Sequence, residues 1–254
     1  MLFLLCPAIS YAGSVECSTT NLGHTTYNSN YDYSDAPASY GVACNATDDW
    51  NRLGSKWNAD IYSPGFSDDW SDDGVSWSID GANYGNDDIL AGQTVTFKFD
   101  LYKELWGRHN FDSIGAWLDK NQDGVFSGGT EEEILKDAWY FRTDSTDVVV
   151  GANYTPYSSG STGYPDNVAD LTKSFYVTLV FPEAGEYWLR ARVVCSDDLS
   201  DDLSNLGPTG GWWQGETEDY KITVTSVPEP ATMMLLGSGL IGLAGFGRKK
   251  FIKK

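Results

Sequence analysis

Period-two alternation of apolar and polar side chains constrains this chain most. In residues 93–100, Val95, Phe97 and Phe99 face one way, against Thr94, Thr96 and Lys98. In 174–181, Phe175, Val177, Leu179 and Phe181 share a face, and in 186–194 Tyr187, Leu189, Ala191 and Val193 oppose Trp188, Arg190 and Arg192. In 219–225, Tyr220, Ile222 and Val224 oppose Lys221, Thr223 and Thr225. This is the period of a strand with one face against a core. Val75–Ile79 and Ile114–Leu118 are shorter candidates, and Glu131–Trp139 reads equally well as helix or strand. Strands do not alternate with long helices, so a parallel α/β sheet is disfavoured. Pro182-Glu183-Ala184-Gly185 predicts a hairpin between its flanking strands. The expectation is all-β: an antiparallel β-sandwich of the jelly-roll or immunoglobulin-like kind, with roughly seven to nine strands and long acidic loops. Residues 143–170 read as one long polar loop.

With 254 residues, 41% of them hydrophobic, such a sandwich can bury a core. The formal net charge is −19, and five of the 17 basic residues (Arg248, Lys249, Lys250, Lys253 and Lys254) stand at the extreme C-terminus. The body is therefore more acidic than the total. It lacks the basic face that a nucleic-acid partner needs, and it attracts divalent cations.

The two ends read as addresses. Residues 1–12 look like the rear part of a secretory signal cut after Ala12, and 13–30 form a polar lead-in. From Val227 the chain carries Val227-Pro228-Glu229-Pro230, an uncharged glycine-rich stretch over 231–247, and the basic cluster. The stretch reads as a short hydrophobic transmembrane helix whose basic end stays cytoplasmic. This tripartite tail resembles the PEP-CTERM sorting signal of Gram-negative bacteria. The resemblance implies a transient stay in the inner membrane, recognition of the tail by an exosortase-type enzyme, its removal, and delivery to the cell surface or extracellular matrix. It also brings in exopolysaccharide, which producers of such proteins commonly make.

Loss of the signal would remove Cys6 and leave Cys17, Cys44 and Cys195. Export favours a disulfide. Cys17 falls in the polar lead-in, whereas Cys44 and Cys195 border the structured body, so a Cys44–Cys195 bridge is expected. No Cys-x-x-Cys pair or Cys/His cluster suggests zinc.

Asp119-Lys120-Asn121-Gln122-Asp123-Gly124-Val125-Phe126 matches the first half of a calcium-binding loop. Oxygen side chains of Asp119, Asn121 and Asp123 alternate, Gly124 allows the sharp turn, and the Val125 carbonyl can add a ligand. The twelfth position is Thr130, with Glu131 and Glu132 just behind it; Glu131 is the expected closing ligand and Glu132 the alternative. The alternative is an Asp/Asn/Gly turn that binds nothing.

Gly215-Glu216-Thr217-Glu218-Asp219-Tyr220 resembles the signature of the GEVED domain, with Thr217 in place of Val. Tyr33-Ser34-Asp35-Ala36-Pro37, Asp72-Asp73-Gly74-Val75, Ala116-Trp117-Leu118-Asp119 and Leu189-Arg190-Ala191-Arg192 extend the resemblance over residues 31–226. It implies an extracellular sandwich module, often attached to adhesins or secreted enzymes, with no established activity of its own. Glu216 and Glu218 project to one face, about 7 Å apart at the backbone. They could serve as a glycosidase pair or pair with Arg190 and Arg192. Trp212 and Trp213 offer a possible glycan contact. The favoured reading is a non-enzymatic, calcium-stabilised surface or matrix protein. The alternatives are a carbohydrate-binding module for exopolysaccharide and a secreted glycoside hydrolase.

Overall fold

A computed structural model describes residues 17, 31–47, 51–57, 65, 72–103, 111–126, 132–140, 171–196, 198–227 and 238–241. Among these residues there are eleven strands: β1 (Asp32–Tyr33), β2 (Ala43–Thr47), β3 (Asn51–Leu53), β4 (Val75–Ser78), β5 (Ile89–Leu90), β6 (Thr94–Lys103), β7 (Phe111–Leu118), β8 (Glu133–Tyr140), β9 (Leu171–Val180), β10 (Gly185–Cys195) and β11 (Gly210–Thr225). Every segment with clear alternation is a strand, and the described part of the ambiguous 131–139 segment resolves as strand β8 from Glu133 onward. The long loop proposed for 143–170 lies outside the described residues.

The strands form two sheets. The larger runs β1-β2-β11-β10-β7-β8, with β5 also on β11. In the smaller, β6 pairs with β9 and with both β3 and β4. β3 meets residues 101–103 of β6 and β4 meets residues 96–99, so both lie along one edge of it. Most pairs are antiparallel, but β2 and β5 run parallel to β11. The sandwich is therefore mixed rather than purely antiparallel.

Between the sheets, Val95, Phe97, Phe99 and Leu101 of β6 meet Ile114, Ala116 and Leu118 of β7, and Tyr187, Leu189, Ala191 and Val193 of β10. A second apolar layer covers the opposite face of the large sheet, where Ala36, Tyr40, Trp117, Phe126, Trp188, Val194 and Leu206 pack together. All eight residues of β7 are consequently buried.

Two expectations are corrected. The turn at 182–185 does not close a hairpin, because β9 pairs with β6 and β10 with β7 and β11. Both strands have an apolar face, and the turn carries the chain across the core from one sheet to the other. The bridge is Cys17–Cys44, with Cα atoms 5.8 Å apart, and Cys195 is a buried thiol outside it. Cys44 lies opposite Gly211 on one edge of β11, and β10 occupies the other edge. Two strand spacings of about 4.8 Å put Cys44 and Cys195 beyond the ~7 Å that a disulfide tolerates.

Candidate functional site

The register of β10 on β11 sorts the signature residues onto two faces. Ala191 lies opposite Glu218 and Val193 opposite Glu216, whereas Arg190 faces Asp219 and Arg192 faces Thr217. Glu216 and Glu218 therefore point into the sandwich, continuing the row of Tyr220, Ile222 and Val224. They do not pair with the arginines, which belong to the other face.

Inside, the two glutamates fasten the small sheet to the large one. Glu216 Oε2 accepts from the Leu53 amide at 2.6 Å. Glu218 Oε1 accepts from the amides of Asp73 and Gly74, each at 3.0 Å, and its Oε2 accepts from the Tyr220 hydroxyl. That hydroxyl accepts in turn from the Val75 amide. A Cβ on Gly74 would lie 2.7 Å from Glu218 Oε2 and 2.4 Å from the Leu53 Cβ, so only glycine fits there. Burial pushes the Glu218 carboxyl up to about 8 despite these donors. Glu216 is raised by burial and then by Glu218. Asp72 is raised by desolvation and then by Glu218.

On the outer face, Arg190 grips Asp219 bidentately, Nε to Oδ1 at 2.7 Å and Nη2 to Oδ2 at 2.8 Å. Its Nη1 donates to the carbonyls of Gly41 and Pro208. Arg192 donates to Thr217 Oγ1 and to the carbonyls of Gly207, Thr209, Cys44 and Gly210. Its own burial, then the charge of Arg190, pushes its guanidinium down to about 9. The Ala36 amide donates to Asp219 and the Thr217 amide to Asp32, which ties the N-terminal segment to β11. The signature is thus a two-sided fastening, with carboxylates inward and an arginine network outward.

The loop after β7 gathers acid at one corner. Carboxylate oxygens of Asp119, Asp123 and Glu132 all lie within 4.8 Å of one another. Asp119 is fully buried; its Oδ2 accepts from the Tyr40 hydroxyl at 2.6 Å and the Gly124 amide, and its Oδ1 from the Asp123 amide. Burial, then the hydrogen bond to Asp119, raises the Tyr40 phenol. Asn121 Oδ1 accepts from the Asp123 amide, and its Nδ2 donates to Asp123 Oδ2. Val125 is exposed at the loop's end. Glu131 lies outside the described residues, and the acid brought to the cluster is its neighbour Glu132. Its backbone is held there as β8 approaches, the Leu118 amide donating to the Glu132 carbonyl.

Trp212 and Trp213 are half-buried on β11, with Trp212 packed against the outer apolar layer. Of the sorting motif only Val227 is described, and it is exposed; Pro228, Glu229 and Pro230 lie outside the described residues. So do residues 1–16 and most of 231–247, where only 238–241 are described, as helix. Among the described residues no helix is long and apolar enough to cross a membrane.

Residues 113–223 match the family model of the GEVED domain, and residues 226–249 match that of the PEP-CTERM protein-sorting motif. No protein of curated function is significantly similar to the chain. The sorting motif implies an exported protein, processed by an exosortase and carrying a membrane-associated signal at its C-terminus. The GEVED match fits a surface protein.

Proposed function

We propose that the chain is a non-enzymatic structural or interaction protein of the cell surface or matrix, with calcium held at the β7–β8 corner. The observation that carries this reading is the convergence of Asp119, Asp123 and Glu132. These residues come from the end of β7, its loop and the start of β8. Three hard oxygen donors in a chain of net charge −19 suit a hard divalent cation. A bound ion would relieve the mutual repulsion of the three carboxylates and clamp the loop across the mouth of the strand pair. A non-enzymatic role is supported by Glu216 and Glu218, which are buried and accept hydrogen bonds from backbone amides and, for Glu218, from the Tyr220 hydroxyl.

Calcium should raise the melting temperature by preferential binding to the folded state. For an extracellular site with Kd of ~10⁻⁴–10⁻³ M, calcium at about 1 mM contributes about 0.4–1.4 kcal/mol. Magnesium should do less, because it demands a tighter octahedral cage. Asp123→Ala should abolish most of the response while the fold persists. Identical melting in chelator and in millimolar calcium would refute the assignment.

A further inference from the structure

Along three strands, the inward row of apolar side chains ends in a polar residue. On β6 the row Val95, Phe97, Phe99, Leu101 continues to Lys103, and all five are buried. On β3, Leu53 is followed on the same face by Asn51. On β7 the row Leu118, Ala116, Ile114 ends at Asp112. Asn51 and Lys103 are direct cross-strand partners, so their Cβ atoms lie about 5 Å apart on one face. Asp112 reaches across from the facing sheet. Its Oδ2 lies 3.1 Å from Lys103 Nζ, and its Oδ1 accepts from Asn51 Nδ2 at 2.8 Å. One carboxyl group thus holds an amine and a carboxamide side by side. Lys103 is 1% exposed, and Asn51 and Asp112 are 0% exposed. The Asn51 Oδ1 is buried and accepts no hydrogen bond.

A lysine in such a place is costly to desolvate, and hydrophobic residues would fill the space more favourably. A dry site holding an amine, an amide and a shared acid has the parts for acyl transfer: a nucleophile, an electrophilic carbon and a proton carrier. We propose that Lys103 and Asn51 are joined by an intramolecular isopeptide bond whose formation Asp112 promotes.

The steps balance without any co-reactant. Lys103 Nζ passes a proton to Asp112, which removes two buried charges and frees the amine lone pair. The Asn51 amide turns end for end, and its Oδ1 accepts a hydrogen bond from the protonated Asp112. Nζ adds to Cγ, and the tetrahedral adduct then collapses. The Cγ–Nδ2 bond breaks, and Nδ2 takes the second Nζ proton and leaves as ammonia. The products are a secondary amide between Nζ and Cγ, one ammonia, and Asp112 holding the first proton. The new bond ties β3 to β6 within the small sheet, beside the point where Glu216 fastens Leu53.

Mass spectrometry of the folded, full-length or naturally processed protein tests this directly. The expected result, after reduction of the disulfide, is an intact mass one ammonia below that calculated for the same chain ends, with a branched peptide pair joining Asn51 to Lys103. Lys103→Arg and Asp112→Ala should each restore the sequence mass. The unsubstituted protein decides the matter even if those variants fail to fold. Cooperatively melting protein with the full sequence mass, and linear peptides carrying intact Asn51 and Lys103, would overturn the proposal. So would a deficit of one water that maps to Lys103 and Asp112.

Discussion

Replacing Glu218 by Gln should change how stability depends on pH more than it changes stability itself. The side chain sits inside the sandwich, accepting from two amides and the Tyr220 hydroxyl. Burial raises its carboxyl from 4.5 to about 8. A carboxyl whose pKa is higher in the folded state stabilises the fold below its unfolded value and loses that contribution as pH rises through its folded value. The window here runs from about 4.5 to about 8, and within it the folded state binds more protons than the unfolded one. At about 1.4 kcal/mol per unit, the shift corresponds to a loss on the order of 5 kcal/mol, shared with Glu216 and Asp72. The depressed carboxyls of Asp80 and Asp202 act at the acid end, below this window. Urea unfolding at about pH 5 and about pH 9 should therefore show a lower midpoint at the higher pH, with little change in slope. Glutamine retains an acceptor for the Asp73 and Gly74 amides and cannot titrate, so Glu218→Gln should remove a large part of the decline. The reasoning fails if the unsubstituted protein gains stability between these two pH values, or if the variant declines as steeply.

Three other outcomes are expected. Asp219→Ala leaves the Arg190 guanidinium charged and buried, and should cost about 3–5 kcal/mol in denaturant unfolding; a loss under about 1 kcal/mol would contradict the network described. Non-reducing peptide maps should join Cys17 to Cys44, and Cys17→Ser should lower stability by about 3–4 kcal/mol for the loop it closes. A Cys44–Cys195 peptide would contradict the observed pairing. Secreted protein should lack the residues beyond about Pro230 and Glu229→Ala should accumulate a longer membrane-bound form, whereas secreted material retaining Lys254 would refute this processing.

The strands were legible because alternation is a local property of residues such as Val95, Phe97 and Phe99. Their partners were not, since an apolar face says that a strand is half-buried but not in which sheet. That is why the turn before Gly185 read as a hairpin although it crosses the core. Glu216 and Glu218 stand out in the sequence, but pairing with Arg190 and Arg192 is the part of their reading that the structure overturns. The alternation through Tyr220, Ile222 and Val224 already put them on the inward face, and their charge argued for the other. The calcium-type loop was visible in Asp119, Asn121 and Asp123, whose spacing is local. Glu132 was harder to place, because its arrival depends on how β8 pairs with β7. The bridge depended on strand order, which Cys44 and Cys195 do not encode.

Strand β11 ends at Thr225, and the matched sorting motif begins at residue 226. Pro230 stands five residues beyond the strand, a leash of at most about 18 Å. Gly185 pairs with Val224 at that end of the sheet, and a Cβ on Gly185 would overlap Gln122 of the acidic loop. The acidic loop and the end of β11 therefore lie at the same pole of the sandwich. A tail held at the membrane by its sorting signal would keep this pole within that reach of the lipid surface. Removal of the tail would lift that restraint from the acidic loop.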